Sequence, residues 1–258
     1  MTEIPLQDAD AEPLLPILYR DDHLIAIHKP TGLLVHRTPL DFYETRFALQ
    51  ILRNQIGRRV YPVHRLDKGT SGVLLFALNR DMGRALSCQF EQQEVHKTYL
   101  AVVRGWPENA GEIDHALSRR VDGAEFHDAR AQDLPQPAVT RFRTLATVEL
   151  PHRVDRYPSS RYALVELEPL TGRRHQIRRH LKHLSHPIIG DATFGKGRHN
   201  RLFQELFGCH RLLLACTSMS LRHPATGVEL EFIAPPSEDF ASVLRQLGWD
   251  AEPAKAMD

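Results

Sequence analysis

The residues best suited to chemistry lie in His64-Arg65-Leu66-Asp67-Lys68-Gly69-Thr70-Ser71-Gly72, a polar, glycine-bracketed loop that runs straight into the apolar stretch Val73-Leu74-Leu75. A loop so placed presents its side chains at the entrance of a strand. Asp67 stands between Arg65 and Lys68, and nearby positive charge favours carboxylate over acid, which makes it a candidate nucleophile. The competing reading is that Asp67 only caps the turn through neighbouring backbone N–H groups, the common role of an aspartate among Gly, Ser and Thr.

A second concentration lies between Pro169 and Gly190, where five Lys/Arg and four His residues occur with no acidic one. Ile177, Leu181 and Leu184 recur at helical spacing there, after Gly172 and before Pro187, so a helix is predicted from about Arg174 to Leu184. Arg174, Arg178 and Lys182 would share its polar stripe, either as a solvated face or as a phosphate-facing one. The histidines His175, His180, His183 and His186 lack a carboxylate or cysteine at a familiar zinc spacing, so contacts with solvent or phosphate are expected of them. The run Gly190 to Gly197 nearly fits a P-loop but has Gly where Ser or Thr must hold magnesium, and no helix is predicted after it.

The elements that must position these residues are mostly strands. Ile17 to Tyr19 and Leu24 to His28, broken by Asp21-Asp22, read as a hairpin. Leu49, Leu52 and Ile56 predict a surface helix that stops at Gly57. Val73 to Leu78 reads as a buried strand, after which Asn79 caps a helix with Met82, Ala85, Leu86 and Phe90 on its apolar stripe. Further strands are predicted at Thr98–Val103, Val139–Val148 and Tyr162–Leu167. A last helix should be capped by Ser237 and bury Phe240, Val243, Leu244 and Leu247. Segments 107–136 and 192–210 read as irregular.

Composition bounds what surrounds this machinery. The 258 residues suffice for one substantial core, and 42% hydrophobic with 25% charged residues is ordinary for a globular chain. Lys+Arg 33 against Asp+Glu 32 leaves a formal charge of +1, so any surface for a polyanion must be local. Cys88, Cys209 and Cys216 have no CxxC spacing and fit a reducing compartment as buried thiols. The first sixteen residues carry acids and prolines but no Lys or Arg, unlike a secretory signal, and no apolar run approaches the ~20 residues of a membrane span. A cytoplasmic chain without membrane contact is expected.

The run HRLDKGTSGVLLFA (residues 64–77) resembles the signature of the RluA-type RNA pseudouridine synthases, HRLD-x-x-TSG followed by an aliphatic strand. Lys29-Pro30 with Gly32 is similar to that family's opening segment. Lys97-Thr98-Tyr99-Leu100-Ala101 is similar to its tyrosine-bearing strand, Leu170 to Arg178 to its TGR-x-HQ-[LI]-R element, and His186 to Asp191 to its HPI-x-GD tail. These motifs arrive in order and span roughly residues 17–235. Gln136–Thr140, Tyr157–Tyr162 and Gly248-Trp249 look most like a branch that acts on tRNA, at uridine 65 in the T stem.

The resemblance implies an α+β fold, a bent and mostly antiparallel sheet with flanking helices and a central RNA-binding cleft. It implies one catalytic domain over residues 14–250, without the S4 domain some members carry in front, between a flexible leader (1–13) and tail (251–258). Asp67 becomes the catalytic aspartate, Tyr99 the aromatic neighbour of the target base and Arg178 the partner of Asp67. Arg65, Arg173, Arg174, His175 and Lys182 become RNA-binding residues, with Arg65 helping to displace the base. Read from its own strand alone, Tyr99 could equally be a core aromatic. Neither metal nor cofactor is implied, tRNA is the implied partner, and no obligate protein partner is evident. A ribosomal RNA synthase of the same family and a non-catalytic RNA-binding module are the alternatives. A glycosidase would want two carboxylates across the bond, whereas Asp67 is expected to stand alone.

Overall fold

The computed structural model describes residues 14–37, 43–118 and 134–249; the expected leader and tail lie outside the described residues. Within them, β1 (Ile17–Arg20) and β2 (Leu24–Lys29) form the predicted hairpin. Its turn is held by Asp21, whose carboxylate accepts the backbone N–H groups of His23 and Leu24 at 2.7 and 2.8 Å. The helix α1 (Ala48–Ile56) buries Ala48, Ile51 and Leu52 and closes on Gly57, whose φ of 62° suits a residue without a Cβ. After the short β3 (Tyr61–Pro62) comes β4 (Ser71–Ala77), buried at every position. Asn79 then caps α2 (Arg80–Glu91), its Oδ1 accepting the Met82 N–H at 2.8 Å.

Six further strands complete the sheet: β5 (His96–Arg104), β6 (Ala110–Asp114), β7 (Val139–Leu150), β8 (Ser160–Pro169), β9 (Leu214–Arg222) and β10 (Glu229–Ile233). The order is β1-β2-β4-β9-β5-β8-β7-β6, with β3 beside β4 and β10 beside β9. Every pairing is antiparallel except that of β4 with β9, where Ser71 meets Ala215 and Gly72 meets Cys216. This short parallel seam joins the half built from β1 to β4 to the half built from β5 to β10. Gly72 permits the approach, because a Cβ there would stand 2.0 Å from the Cys216 carbonyl oxygen.

Strand alternation divides the core between the two faces of the sheet. Leu100, Val102, Tyr162 and Leu164 pack with Phe203 of α4 (Gly197–Phe207) and with Phe240 and Leu244 of α5 (Glu238–Gln246). Phe203 and Phe240 are fully buried, each worth roughly 1.5–3 kcal/mol of apolar transfer. The opposite face carries Tyr99, Ala101, Val103, Ala163, Val165 and Leu167, which join the cluster holding Ile177 and Leu181 of α3 (Gln176–His183).

Several sequence expectations need correction. Residues 197–207 form a helix rather than a loop, because His199, Leu202 and Phe203 bury one side and Gly208 ends it at φ 61°. A helix therefore does follow the P-loop-like run. Ala110–Asp114 pairs with β7 although only Ile113 is buried, a pattern too sparse to read as a strand. Cys88 is exposed rather than buried. The Ser237 hydroxyl donates to Asp239 and accepts from Arg211 instead of capping a backbone N–H. His180 is fully buried, bonded to Thr140 and to the His115 carbonyl, and contacts neither solvent nor phosphate.

Candidate active site

Asp67 sits on the loop entering β4, at the seam between the halves of the sheet. The loop is tied back locally, the Thr70 N–H donating to the Asp67 carbonyl at 3.1 Å. Its side chain is 19% exposed and accepts from Arg178 Nη1 at 3.0 Å. The Asp67 carboxylate is thus engaged by a residue 111 positions away, and a local turn cap is not its role.

The main grip of Arg178 lies elsewhere. Its Nε and Nη2 donate to the two oxygens of Asp191 at 2.7 and 2.9 Å, the fork-to-fork pairing that guanidinium favours, leaving one bond for Asp67. The Asp191 side chain is wholly buried and its Oδ1 also accepts the N–H groups of Thr193 and Phe194. Burial would raise its pKa, but the Arg178 and backbone hydrogen bonds outweigh this and hold the carboxyl below its usual range. The ring of buried Phe194 lies 5.0 Å beneath the Arg178 guanidinium and edge-on to His175. Asp67 therefore does not stand alone as a nearby carboxylate, contrary to expectation, although Asp191 is fully occupied.

The loop before α3 is set by Gln176, whose amide oxygen accepts from Thr171 Oγ1 and the Arg173 N–H, while its nitrogen donates to the Val139 carbonyl and Thr140 Oγ1. This network supports His175 in the left-handed conformation at φ 55°, so α3 begins two residues later than the periodicity predicts. Arg174 consequently lies on the loop, off the stripe of Arg178 and Lys182. His175 Nε2 stops 3.7 Å from Asp67 Oδ1, and burial pushes its pKa below the usual value, against the pull of Asp67.

Tyr99, on β5, is 9% exposed and turned to the same cleft. Burial raises its pKa far above the usual value, reinforced by its contact with Cys216 on β9. Burial likewise pushes the Cys216 thiol up to about 12, so the phenol and the thiol face one another as neutral groups. His64 stacks on Phe90 at 4.7 Å, accepts the Leu75 N–H at 2.9 Å, and is pushed by burial down to about 3. Lys29, fully buried, donates to the carbonyls of Pro30, Leu33 and Lys68 and thereby ties the opening segment to the Asp67 loop.

A cleft of about 450 Å3 is lined by Arg65, Asp67, Tyr99, Arg173, Arg174 and Arg178 among others. Arg65 is exposed, with no ion pair among the described residues. Arg173 donates to the Pro137 carbonyl at 3.1 Å. Lys182 is exposed on α3, its Nζ 5.8 Å over Phe194, and is not part of the cleft wall. No group of three or more His, Cys, Asp or Glu among the described residues could hold a metal ion.

Residues 23–183, more than half of the chain, match the family described as RNA pseudouridylate synthase. The chain belongs to that family. Pseudouridine synthases are isomerases. Among curated relatives, tRNA pseudouridine synthase C of Yersinia pestis is 48% identical over 92% of both chains. That of Haemophilus ducreyi is 49% identical over 91% of this chain and 96% of its own. Human RNA Pseudouridylate Synthase Domain Containing 4 has a solved structure that superposes with a TM-score of 0.67 at 28% identity, covering 90% of this chain and 93% of that one. Domain Containing 1 gives 0.65 at 28%, over 86% and 83%. The large, mostly antiparallel sheet is thus the pseudouridine synthase fold. No helix among the described residues is long and apolar enough to cross a membrane.

The sequence expectations assign neither Asp191 nor Phe194 a task at the site. The signal for Asp191 was present, since it is the first acid after a long basic stretch and needs a cation when buried. Phe194 carried no such signal.

Proposed function

We propose that the protein is a tRNA pseudouridine synthase that converts uridine 65 of the T stem, with Asp67 as its catalytic carboxylate. The observation that carries this reading is the near-full-length likeness to tRNA pseudouridine synthase C proteins, over a cleft in which Asp67, Arg178 and Tyr99 converge. A uridine inside a helix is inaccessible, so the nucleotide must be extruded and its base stacked in a pocket. Tyr99 supplies the stacking face, and exposed Arg65 reaches into the space the base vacates. Arg173, Arg174, His175 and Lys182 offer donors to the backbone around it.

The reaction breaks the N-glycosidic bond, turns the base and rejoins it to the sugar through carbon; one proton leaves that carbon and one returns to nitrogen, so nothing is gained or lost. Asp67 either attacks the sugar carbon or removes a sugar proton to leave a glycal. Both routes need the carboxylate, and Arg178 aims it.

The test uses unmodified tRNA transcript without added metal or nucleotide. Pseudouridine should form at one T-stem uridine with the parent protein. With Asp67→Asn, which keeps size but removes charge, RNA binding should persist and product should vanish. Turnover by that variant at a substantial fraction of the parent rate would remove Asp67 from the mechanism. Activity on ribosomal RNA fragments with tRNA untouched would remove the substrate.

A further inference from the structure

The turn between β7 and β8 holds a group of side chains that catalysis does not use. Tyr157 is 57% exposed, and the Arg156 guanidinium lies 4.7 Å over its ring while donating to its hydroxyl at 2.6 Å. Beside the turn, Trp106 is 41% exposed, with Arg161 4.3 Å over its ring and its own Nε1–H anchored on the Val148 carbonyl at 3.1 Å. Arg153 is exposed and donates only to the Asp155 backbone carbonyl at 3.3 Å. The local acids are already engaged, Glu149 by Arg161 and Ser159, Asp155 by Arg104 and His199. Arg153 and Arg156 have no carboxylate partner among the described residues.

The register of the sheet relates this group to the cleft. Along β8, Arg161 alternates onto the same face as Ala163, Val165 and Leu167, and Leu167 pairs with Tyr99. Nine residue steps separate Ser160 from Pro169 at the cleft, roughly 30 Å of strand. Part of that span is covered on the same face by α3, which begins at the cleft and exposes Lys182 and His183 towards its end. The chain leaving α3 is pinned to the segment before Trp106: His186 Nδ1 meets the Arg104 carbonyl at 2.9 Å, and the Arg104 N–H donates to the Pro187 carbonyl at 3.0 Å. The Gly105 N–H in turn donates to the Arg161 carbonyl at 2.6 Å. Exposed Lys182 and His183, with the chain that follows α3, therefore lead from the cleft towards the two arginine-backed aromatic rings.

We propose that Trp106–Arg161 and Arg156–Tyr157 form a second RNA-contacting surface, which holds the part of a tRNA-sized substrate that lies roughly 30 Å from the target uridine. It rests on the reading that the cleft takes a uridine of tRNA. Aromatic faces carrying guanidinium groups are platforms for stacked bases, and uncompensated arginines answer phosphates.

The test compares the parent with Arg156→Ala/Tyr157→Ala, both exposed, and separately with Trp106→Ala, after thermal melts establish that each variant is folded. Filter binding is measured with full-length tRNA transcript and with a short stem–loop carrying the same uridine. Both variants should weaken binding to full-length tRNA by about tenfold, bind the stem–loop like the parent, and keep the single-turnover rate at saturating RNA. Arg156→Lys with Tyr157 retained should recover most of the affinity, and the alanine pair should make the salt dependence shallower by about one. Unchanged affinity for full-length tRNA overturns the proposal, as does an equal loss on the stem–loop, which would make the patch part of the cleft. A parent that binds tRNA with this difference yet forms no pseudouridine would overturn the functional reading and leave the surface standing.

Discussion

Arg178 spans two carboxylates of different character. Asp191 is buried and takes two of its bonds, Asp67 is partly exposed and takes one. The buried pair fixes where the guanidinium is, and its remaining N–H then fixes where Asp67 points. A lysine ammonium could reach one carboxylate but lacks the planar fork to hold both. Arg178→Lys should therefore lower turnover at least ~10-fold, the equivalent of one charge-assisted contact at about 1.5–3 kcal/mol, with RNA affinity falling much less. Asp191→Asn should lower turnover too and also cost about 3 kcal/mol of stability, since it breaks a buried pair. Arg174→Lys and Lys182→Arg, both exposed, should leave turnover nearly intact. Single-turnover rates and melts of all four variants decide this, and equal, mild effects would reduce Arg178 to one more phosphate contact.

At the scale of elements, the seam between β4 and β9 determines whether the site exists at all, because it brings the Asp67 loop against strands that carry Tyr99 and lead to α3. Gly72 sits there at φ 110° with no room for a Cβ. Gly57 also has positive φ, 62°, but nothing lies within 4 Å of the position a Cβ would take. The two therefore separate backbone preference from collision. Gly57→Ala should cost about 1 kcal/mol, a fall of roughly 2–4 °C in melting temperature. Gly72→Ala should fail to give a folded, soluble chain, as read by circular dichroism and gel filtration. A Gly72→Ala protein melting within a few degrees of the parent would show that the seam is not the constraint described.

Across the whole molecule, His28, His64, His175, His180 and His199 are all held below the usual histidine pKa, burial being the largest cause for each. Below pH ~6.5 the unfolded chain takes up protons at these positions that the folded chain refuses, so the unfolded state binds more protons and stability falls as pH falls. Each such group contributes at most about 1.4 kcal/mol per pH unit. Depressed carboxylates such as Asp21 and Asp191 act in the same direction only below about pH 4. Melting temperature should therefore decline steadily from pH 6.5 to 5, above the range in which most carboxylates titrate. His64→Gln, which keeps an acceptor for the Leu75 N–H, should make that decline shallower. A flat profile over this range would contradict the assignment of neutral buried histidines.

Much of this was legible in the sequence for physical reasons that differ from part to part. The β1–β2 hairpin, α1, α2 and the buried run of β4 follow from local periodicity and from caps such as Asn79 and Gly57, which act within a few residues. Asp67 was legible as a candidate because an acid stands among basic residues in a glycine-bracketed loop, whereas Tyr99 and the pairing of Arg178 with Asp67 were expected only from the family resemblance. Long-range contact decided the rest. Whether Arg178 gives its fork to Asp67 or to Asp191 depends on two loops converging on α3, and the chain between 67 and 178 carries no local trace of it. The left-handed turn at His175 exists because Gln176 finds four partners, two of them on β7. Residue type and spacing thus determined the chemistry available to this protein; only the folded sheet, closing at the Gly72–Cys216 seam, decided which carboxylate is buried as an anchor and which is left partly exposed in the cleft.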